Sequence, residues 1–193
     1  MTEIRTERLV LRRWRDSDLG PWAEMNADPR VREHLGPPLT REQSDASVAR
    51  FLRDFDRRGH GWWAVEVRAT GEFVGFAGLD RVEEHLPFSG VEAGWRLARH
   101  AWGRGYATEA ARAALDHGFG ALGLAEVLAV TTAANHRSQA VMARIGMTRD
   151  PGGDFDDPEA PEGPLRPNVL YRVTRGGYAR HRAREAAERG RTS

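Results

Sequence analysis

Alternation of apolar and polar residues predicts strands at six places along the chain. These are residues 8–15, 62–67, 73–79, 90–97, 126–132 and 169–174. The fourth of them is the most regular. Its two alternating sets are Val91, Ala93, Trp95 and Leu97 on one side, and Glu92, Gly94 and Arg96 on the other.

Helical periodicity and capping residues predict four helices between these strands. Asp16 or Ser17 begins a short helix toward Asn26, and Pro29 ends it. The sequence Thr-Arg-Glu-Gln at 40–43 is a capping box, and its helix stops before Gly59. The remaining two helices cover 107–121 and 138–145. Strands outnumber helices in this order, which predicts an α+β fold with one mixed sheet covered by helices.

Composition excludes several kinds of chemistry. The 29 basic residues are all Arg, and Cys is absent, so the chain has no Schiff-base or P-loop lysine, no thiol nucleophile and no Cys-ligated zinc. The seven His are scattered, and we therefore expect no metal site. A net charge of +1 gives no footprint for nucleic acid. No apolar run approaches the roughly 20 residues that span a bilayer, so we expect a cytoplasmic protein without membrane contact.

The segment 94–111 carries the most specific chemical signal. A strand leads into Gly103 and Gly105, and a helix follows at once. Glycine permits a tight turn, and the first turn of a helix presents unpaired N–H groups with a partial positive charge. Such a turn cradles phosphate or pyrophosphate, with Arg104 as a charged contact. The alternative is a tight strand-to-helix junction without a ligand.

A Rossmann dinucleotide site is a competitor that the chain does not match. That site needs an acidic residue at the end of the next strand, but Glu126 stands at its beginning. A literal G-x-G-x-x-G does occur at Gly118, Gly120 and Gly123. It follows a helix instead of opening one, so we interpret it as a helix end and loop.

The ordered series of motifs resembles the GNAT N-acetyltransferases, in particular the branch of ribosomal-protein N-terminal acetyltransferases. The strongest is WGRGYATEA at 102–110. The other matching segments are TERLVLR at 6–12, GEFVG at 71–75 with Gly78, EAGW at 92–95, NHRS at 135–138, IGM at 145–147 and VLYR at 169–172. The resemblance extends over about residues 6–178.

The resemblance implies a fold and a co-substrate. The fold is a single domain with a mixed, mostly antiparallel sheet of about six to seven strands, flanked by about four helices and splayed between its fourth and fifth strands. The resemblance places acetyl-CoA in the splay. Its pantetheine arm is expected to form hydrogen bonds with the backbone near Leu97 and with Asn135. The residues implied for its pyrophosphate are Gly103, Arg104, Gly105, Tyr106, Ala107 and Thr108. Trp102 replaces the Gln or Arg usual at the first loop position, and Asn135 has an alternative role as a turn former.

Direct transfer from a thioester to an amine needs a base, because only the free amine attacks. Glu92 is the predicted base, since its alternation sets it opposite Val91 and Ala93; a substrate contact and an exposed strand Glu in a surface ion pair are the alternatives. The resemblance implies Ser138 as the general acid for the leaving thiolate. The alternative for Ser138 is a helix N-cap.

We therefore expect an acetyl-CoA-dependent N-acetyltransferase that acts without metal on a peptide N-terminus or a small-molecule amine. The alternatives are a regulatory module that binds acyl-CoA without turnover, and an aminoglycoside or small-amine acetyltransferase. The expected domain covers 1–178, followed by an Arg/Ala-rich tail at 179–193 that is a frayed helix or disordered. A homodimer is a possible assembly.

The segment 150–167 stands apart by composition, being rich in Pro, Gly and acids. Its six acids against one Arg give a balance of −5, in a chain whose total is +1. One hypothesis is that this charge attracts cationic amines to the site. The alternative is a solvated, Pro-stiffened surface loop.

Overall fold

The computed structural model describes residues 3–191, and they fall into two compact units. The first unit runs up to Asp80 and takes in Ala93–Leu115. The second comprises Arg81–Glu92 and the chain from Asp116 onward. The fifth strand and the fourth helix each contribute residues to both units.

The first unit is built on five neighbouring strands. They are β1 (Ile4–Arg5), β2 (Leu9–Arg12), β3 (Trp62–Val67), β4 (Glu72–Arg81) and β5 (Val91–Leu97), of which Ala93–Leu97 belongs here. Successive pairs from β1 to β4 are antiparallel. The strand predicted at 8–15 is shorter in the structure, where it covers Leu9–Arg12. A 3-10 helix at Asp16–Asp18 follows it closely.

The helices of the first unit begin and end largely where local signals place them. They are α1 (Leu19–Ala27), α2 (Pro29–Arg32), α3 (Arg41–Arg58) and the start of α4 (Tyr106–Gly120). The capping box at Thr40 and Gln43 is formed, and Gly59 closes α3 with φ 73°. Pro29 does follow the end of α1, but it also opens α2, capped by Asp28. Its fixed φ suits a first helical position.

Two apolar clusters fill the first unit. One joins strand residues such as Leu9, Trp63 and Val65 to Ala110 on α4. The other packs Trp14, Trp22 and Phe51 around Phe76, with edge-to-face rings about the Trp22 side chain. The second cluster holds α1 and α3 against β4, and it forms the wall beside which Arg96 lies.

The second unit is organised around β9. Its elements are β6 (Glu126–Thr132), α5 (His136–Arg144), β7 (Thr148–Arg149), β8 (Phe155–Asp156), β9 (Pro167–Thr174) and α6 (Arg175–Gly190). β6, β7 and β8 each pair with β9 in antiparallel register. Glu92 of β5 pairs with Leu128 of β6 in parallel. Leu128 and Leu170 lie in its core with Val82.

These pairings confirm an α+β fold with a mixed, mostly antiparallel sheet. The residues described contain more elements than expected, because two-residue strands and short helices lack a visible sequence pattern. Gly120 ends α4, as the interpretation of the G-x-G-x-x-G as a helix terminus required. α6 is capped by Thr174 and runs across the expected boundary at 178 as far as Gly190. That boundary stays a prediction. Positions 1, 2, 192 and 193 of the expected domain and tail lie outside the described residues.

Candidate functional site

The turn between β5 and α4 has the backbone that its glycines suggested. Gly103 and Gly105 have φ of 74° and 79°, in the left-handed region that favours glycine. Both are exposed, as is Arg104 between them. A Cβ at Gly105 would come within 3.3 Å of the Arg8 guanidinium.

The start of α4 presents backbone amides without helical partners. The N–H of Glu109 donates to the Gly105 carbonyl at 3.0 Å. The N–H groups of Tyr106, Ala107 and Thr108 precede this bond, so the helix itself offers them no acceptor. Gly105 has no side chain with which to cap them. This set of amides, beside the exposed Arg104, is suited to an anionic oxygen group.

A network around Glu109 fixes the turn against the segment between β1 and β2. The Glu109 carboxylate accepts from the Thr6 hydroxyl (2.6 Å), the Arg8 amide (2.8 Å) and Arg8 Nε (2.7 Å). Arg8 also donates to the Arg104 carbonyl and lies over the Tyr106 ring. Burial raises the pKa of Glu109, but the hydrogen bonds from Thr6 and Arg8 outweigh it and lower the pKa overall. Glu109 therefore stays ionised until the pH falls through that lowered pKa, where the network is lost.

Trp102, at the first position of the loop, has a definite hydrogen-bond partner. Its indole N–H donates to the Leu97 carbonyl at 2.7 Å. The next amide, that of Ala98, donates to the Val74 carbonyl of β4 at 2.9 Å. Leu97 is itself buried, so its predicted contact with a pantetheine arm is limited to backbone atoms not already engaged.

In the second unit, Asn135 caps α5. Its side-chain oxygen accepts from the Ser138 N–H at 3.2 Å, and its amide nitrogen donates to the Thr131 hydroxyl at 2.9 Å. The alternative of Ser138 as the N-cap is therefore wrong. Asn135, three residues earlier, occupies that position, and Ser138 is the third helical residue. Two of the four hydrogen bonds that the Asn135 amide can make remain for a ligand.

Glu92 lies half-buried at the second position of β5, opposite Leu128. It is thus on a regular strand, as predicted, and its role as base stays a prediction. Sequence reasoning missed Arg8, Thr6 and Arg96. The first two lie about a hundred residues from Glu109, and no local pattern marks such a pair.

Within residues 3–191, no group of three or more His, Cys, Asp or Glu side chains is arranged to hold a metal ion. Over the same residues, no helix combines the length and the apolar character that crossing a membrane demands.

A strand, a glycine turn and an open helix start together form a candidate site for a phosphorylated ligand. The family model described as Acetyltransferase (GNAT) domain matches residues 8–148, and the chain belongs to this family. It is accordingly an N-acetyltransferase of the GNAT type, a family that uses acetyl-CoA.

Two similar proteins support this assignment, and a third shares the fold. FsC-acetyl coenzyme A-N(2)-transacetylase of Aspergillus fumigatus is 32% identical over 166 residues, covering 81% of this chain and 69% of that protein. The crystal structure of an acetyltransferase from Agrobacterium tumefaciens str. C58 has 31% identity and a TM-score of 0.73, covering 90% of this chain and 94% of the other. RimL, a ribosomal L7/L12 alpha-N-protein acetyltransferase solved with coenzyme A, has a TM-score of 0.72 at 15% identity and coverages of 90% and 98%. The last likeness shows the fold alone.

Proposed function

We propose that the chain transfers the acetyl group of acetyl-CoA directly to a primary amine, with the pyrophosphate on the turn at 103–108. The observation that carries this proposal is the open start of α4. Its amides at Tyr106, Ala107 and Thr108 precede the first helical bond, and the Glu109 network holds them in place. Backbone N–H groups at a helix start bind phosphate oxygens without displacing any bond of the fold.

Direct transfer fits the residues that the chain contains. The amine nitrogen attacks the thioester carbonyl carbon, a C–N bond forms, and the C–S bond breaks to release the CoA thiolate. No cysteine exists to carry an acetyl group in between. The nitrogen gives up one proton, which Glu92 accepts directly or through water in this proposal. The thiolate takes a proton from Ser138 or from water.

The assignment of Ser138 as the acid has less support than the assignment of Glu92 as the base. Its amide, not its hydroxyl, takes part in the cap of α5. The hydroxyl is therefore not needed to start the helix, which is compatible with an acid role but does not require one.

Release of CoA thiol tests the proposal with little background. Because the chain has no Cys, a thiol-reactive dye detects only the CoA that is set free. Because it has no Lys, its only aliphatic amine is the chain's N-terminus. We expect thiol release that depends on an added amine, with the N-acetyl product found by mass spectrometry. Tight CoA binding without product from peptide, small-molecule or aminoglycoside amines would favour a regulatory module.

A further inference from the structure

We propose that Arg96, with Arg32 beside it, binds an anionic group of the acceptor, so that the acceptor is an amine carrying a carboxylate or a phosphate. This inference rests on the proposed amine acetylation and names the class of amine. Its basis is a half-buried guanidinium that lies against aromatic rings and has no anionic partner among the described residues.

Arg96 stands on β5 against aromatic rings and one neutral acceptor. Its terminal nitrogen donates to the Asn26 side-chain oxygen at 2.8 Å. Its guanidinium lies 5.3 Å from the Trp22 ring centre and 5.5 Å from that of Phe76. Its Nε is buried and has no hydrogen-bond partner within residues 3–191. No described carboxylate forms an ion pair with Arg96, and the residue is still partly open to solvent.

Arg12 shows how the same unit treats an arginine whose role is structural. Arg12 is 4% exposed, and its guanidinium pairs with Asp18 at 2.7 Å and with Glu66 at 2.7 Å. Arg58 on α3 is likewise paired, with Asp54 and Asp80. Buried charge is costly unless it is paired, and these two are. Arg96 has no such partner among the described residues.

A second uncompensated cation adds to the positive potential at Arg96. Arg32 is 8% exposed, and its hydrogen bonds within the described residues go to the backbone carbonyls of Leu35 and Pro37. Burial first, and the charge of Arg32 second, lower the pKa of Arg96 to about 9. The surroundings therefore stabilise the Arg96 charge less than water does, and an incoming anion would restore that stabilisation.

The chemistry of guanidinium selects the type of group. Its planar fork of donors matches the oxygens of a carboxylate or a phosphate, and such charge-assisted bonds are stronger than neutral ones. The aromatic wall of Trp22 and Phe76 lowers the local dielectric and strengthens the attraction. A Cβ at Gly94 would stand 2.8 Å from the Trp62 ring, so this face of β5 is also lined by a third aromatic ring.

The proposed place of Arg96 in the acceptor site follows from its position in the sequence pattern of β5. By alternation, Arg96 belongs to the same set of β5 positions as Glu92, the predicted base. Its hydrogen-bond partner Asn26 lies on α1. Binding through these residues would select acceptors by their anionic group, while the amine reacts elsewhere on the molecule.

Three acceptors with the same two-carbon spacer test the proposal. They are β-alanine, O-phosphoethanolamine and the neutral β-alaninamide, compared by kcat/KM in the thiol-release assay. We expect at least one anionic acceptor to be favoured over the amide by about 10- to 100-fold, as charge-assisted hydrogen bonds imply. The two anionic arms show whether carboxylate or phosphate is bound. A wild-type enzyme that prefers neither over the amide would overturn the proposal.

Variants then locate the preference. Arg96→Gln should bring the ratio of anionic to neutral acceptor close to one, and Arg96→Lys should leave an intermediate ratio. Arg41→Gln is the matched control, because it removes the same charge from an exposed pair with Asp45. Its ratio should equal that of the wild type. An Arg96→Gln ratio equal to that of the wild type would contradict the assignment.

Product binding keeps the two proposals separable. Calorimetry of the wild-type protein with N-acetyl-β-alanine and with its amide needs neither turnover nor a folded variant. Tighter binding of the carboxylate form supports the anion site even if no amine releases thiol, a result that would defeat only the proposed acetyl transfer. If β-alanine is favoured in turnover but its product binds no better than the amide, the anion site is wrong while the transferase activity stands.

Discussion

Two strand-to-helix connections, one in each unit, satisfy their helix starts in different ways. At 102–109 the first helical acceptor is the carbonyl of Gly105, which has no side chain to cap the amides that follow. At 131–138 the side chain of Asn135 caps the helix and also binds Thr131. The first connection can therefore bind an anion without losing a bond of its own, whereas the second already uses two of the four hydrogen bonds of its Asn135 amide in structure.

This difference separates the expected effects of substitution. Changes at the first connection should weaken CoA binding more than they weaken folding. Changes at Asn135 should mainly lower the free energy of unfolding. The predicted base, Glu92, should affect turnover and leave both of these properties nearly unchanged.

The largest effect is expected for Glu92→Gln. General base assistance is worth about 10²–10⁴-fold, and that is the loss we expect in kcat at neutral pH. The loss should shrink above the acceptor's pKa, about 8 for an α-amine, because the free amine then predominates. A pH–rate profile measures this.

Glu126→Gln is the control for that profile, because it removes a carboxylate from the next strand, where Glu126 pairs with Arg172. Its profile should follow that of the wild type. If Glu92→Gln also follows the wild type at every pH, Glu92 is not the base.

Gly105→Val tests whether the first connection binds CoA through its backbone amides. A β-branched side chain is strained at φ 79°, and the displaced amides would lose charge-assisted bonds to phosphate. We expect calorimetry to show CoA affinity reduced by about 10- to 100-fold. Gly59→Val places the same side chain at φ 73° at the end of α3. Gly59→Val should lower the melting temperature by a similar amount and leave the affinity for CoA unchanged. If the two variants bind CoA equally well, the turn at 103–108 does not bind the phosphate groups.

Asn135→Ala should lower the free energy of unfolding by about 1 kcal/mol, the usual effect of removing a cap. Ser138→Ala should change it by less than about 0.5 kcal/mol, because its hydroxyl takes no part in the cap. Urea unfolding measures both. The reverse order would show that Ser138 stabilises the helix start and that Asn135 is free for a ligand.

The smallest effect concerns the acidic segment 150–167. Asp154 pairs with Arg149 and accepts from the Leu170 amide, so it serves the fold. Its pKa is lowered chiefly by Arg149, so this pair adds stability at neutral pH that is lost as the pH falls through the lowered pKa.

A test of attraction therefore needs the exposed acids of that segment. If the segment attracts cationic amines, D156N/E159Q/E162Q should raise their KM by about 2- to 5-fold at low salt and hardly at all in high salt. An unchanged KM at low salt would leave the segment without a part in recognition.

Local signals made much of the fold predictable. The capping box at Thr40 and the strand Glu126–Thr132 depend on residues adjacent in sequence, and the structure reproduces both. The glycine turn was predictable for the same reason. Pro29 shows the limit of such signals, since the same residue can follow one helix and open another.

Long-range partners were not predictable. Nothing near Glu109 in sequence indicates that Thr6 and Arg8 bind its carboxylate. In the sequence, Arg96 is one of the polar residues of an alternating strand. Only the structure shows that its guanidinium lies against the rings of Trp22 and Phe76. The supports of the site and the proposed anion subsite therefore required the structure.

In the proposed mechanism, the start of α4 binds the pyrophosphate of acetyl-CoA. Calorimetric titration of the wild-type protein with CoA and with pantetheine, which lacks the pyrophosphate and nucleotide, tests it most directly. We expect CoA to bind at least about 100-fold more tightly than pantetheine. We also expect Gly105→Val to narrow that gap while Gly59→Val leaves it intact. Equal affinities of the wild type for the two ligands would contradict the account.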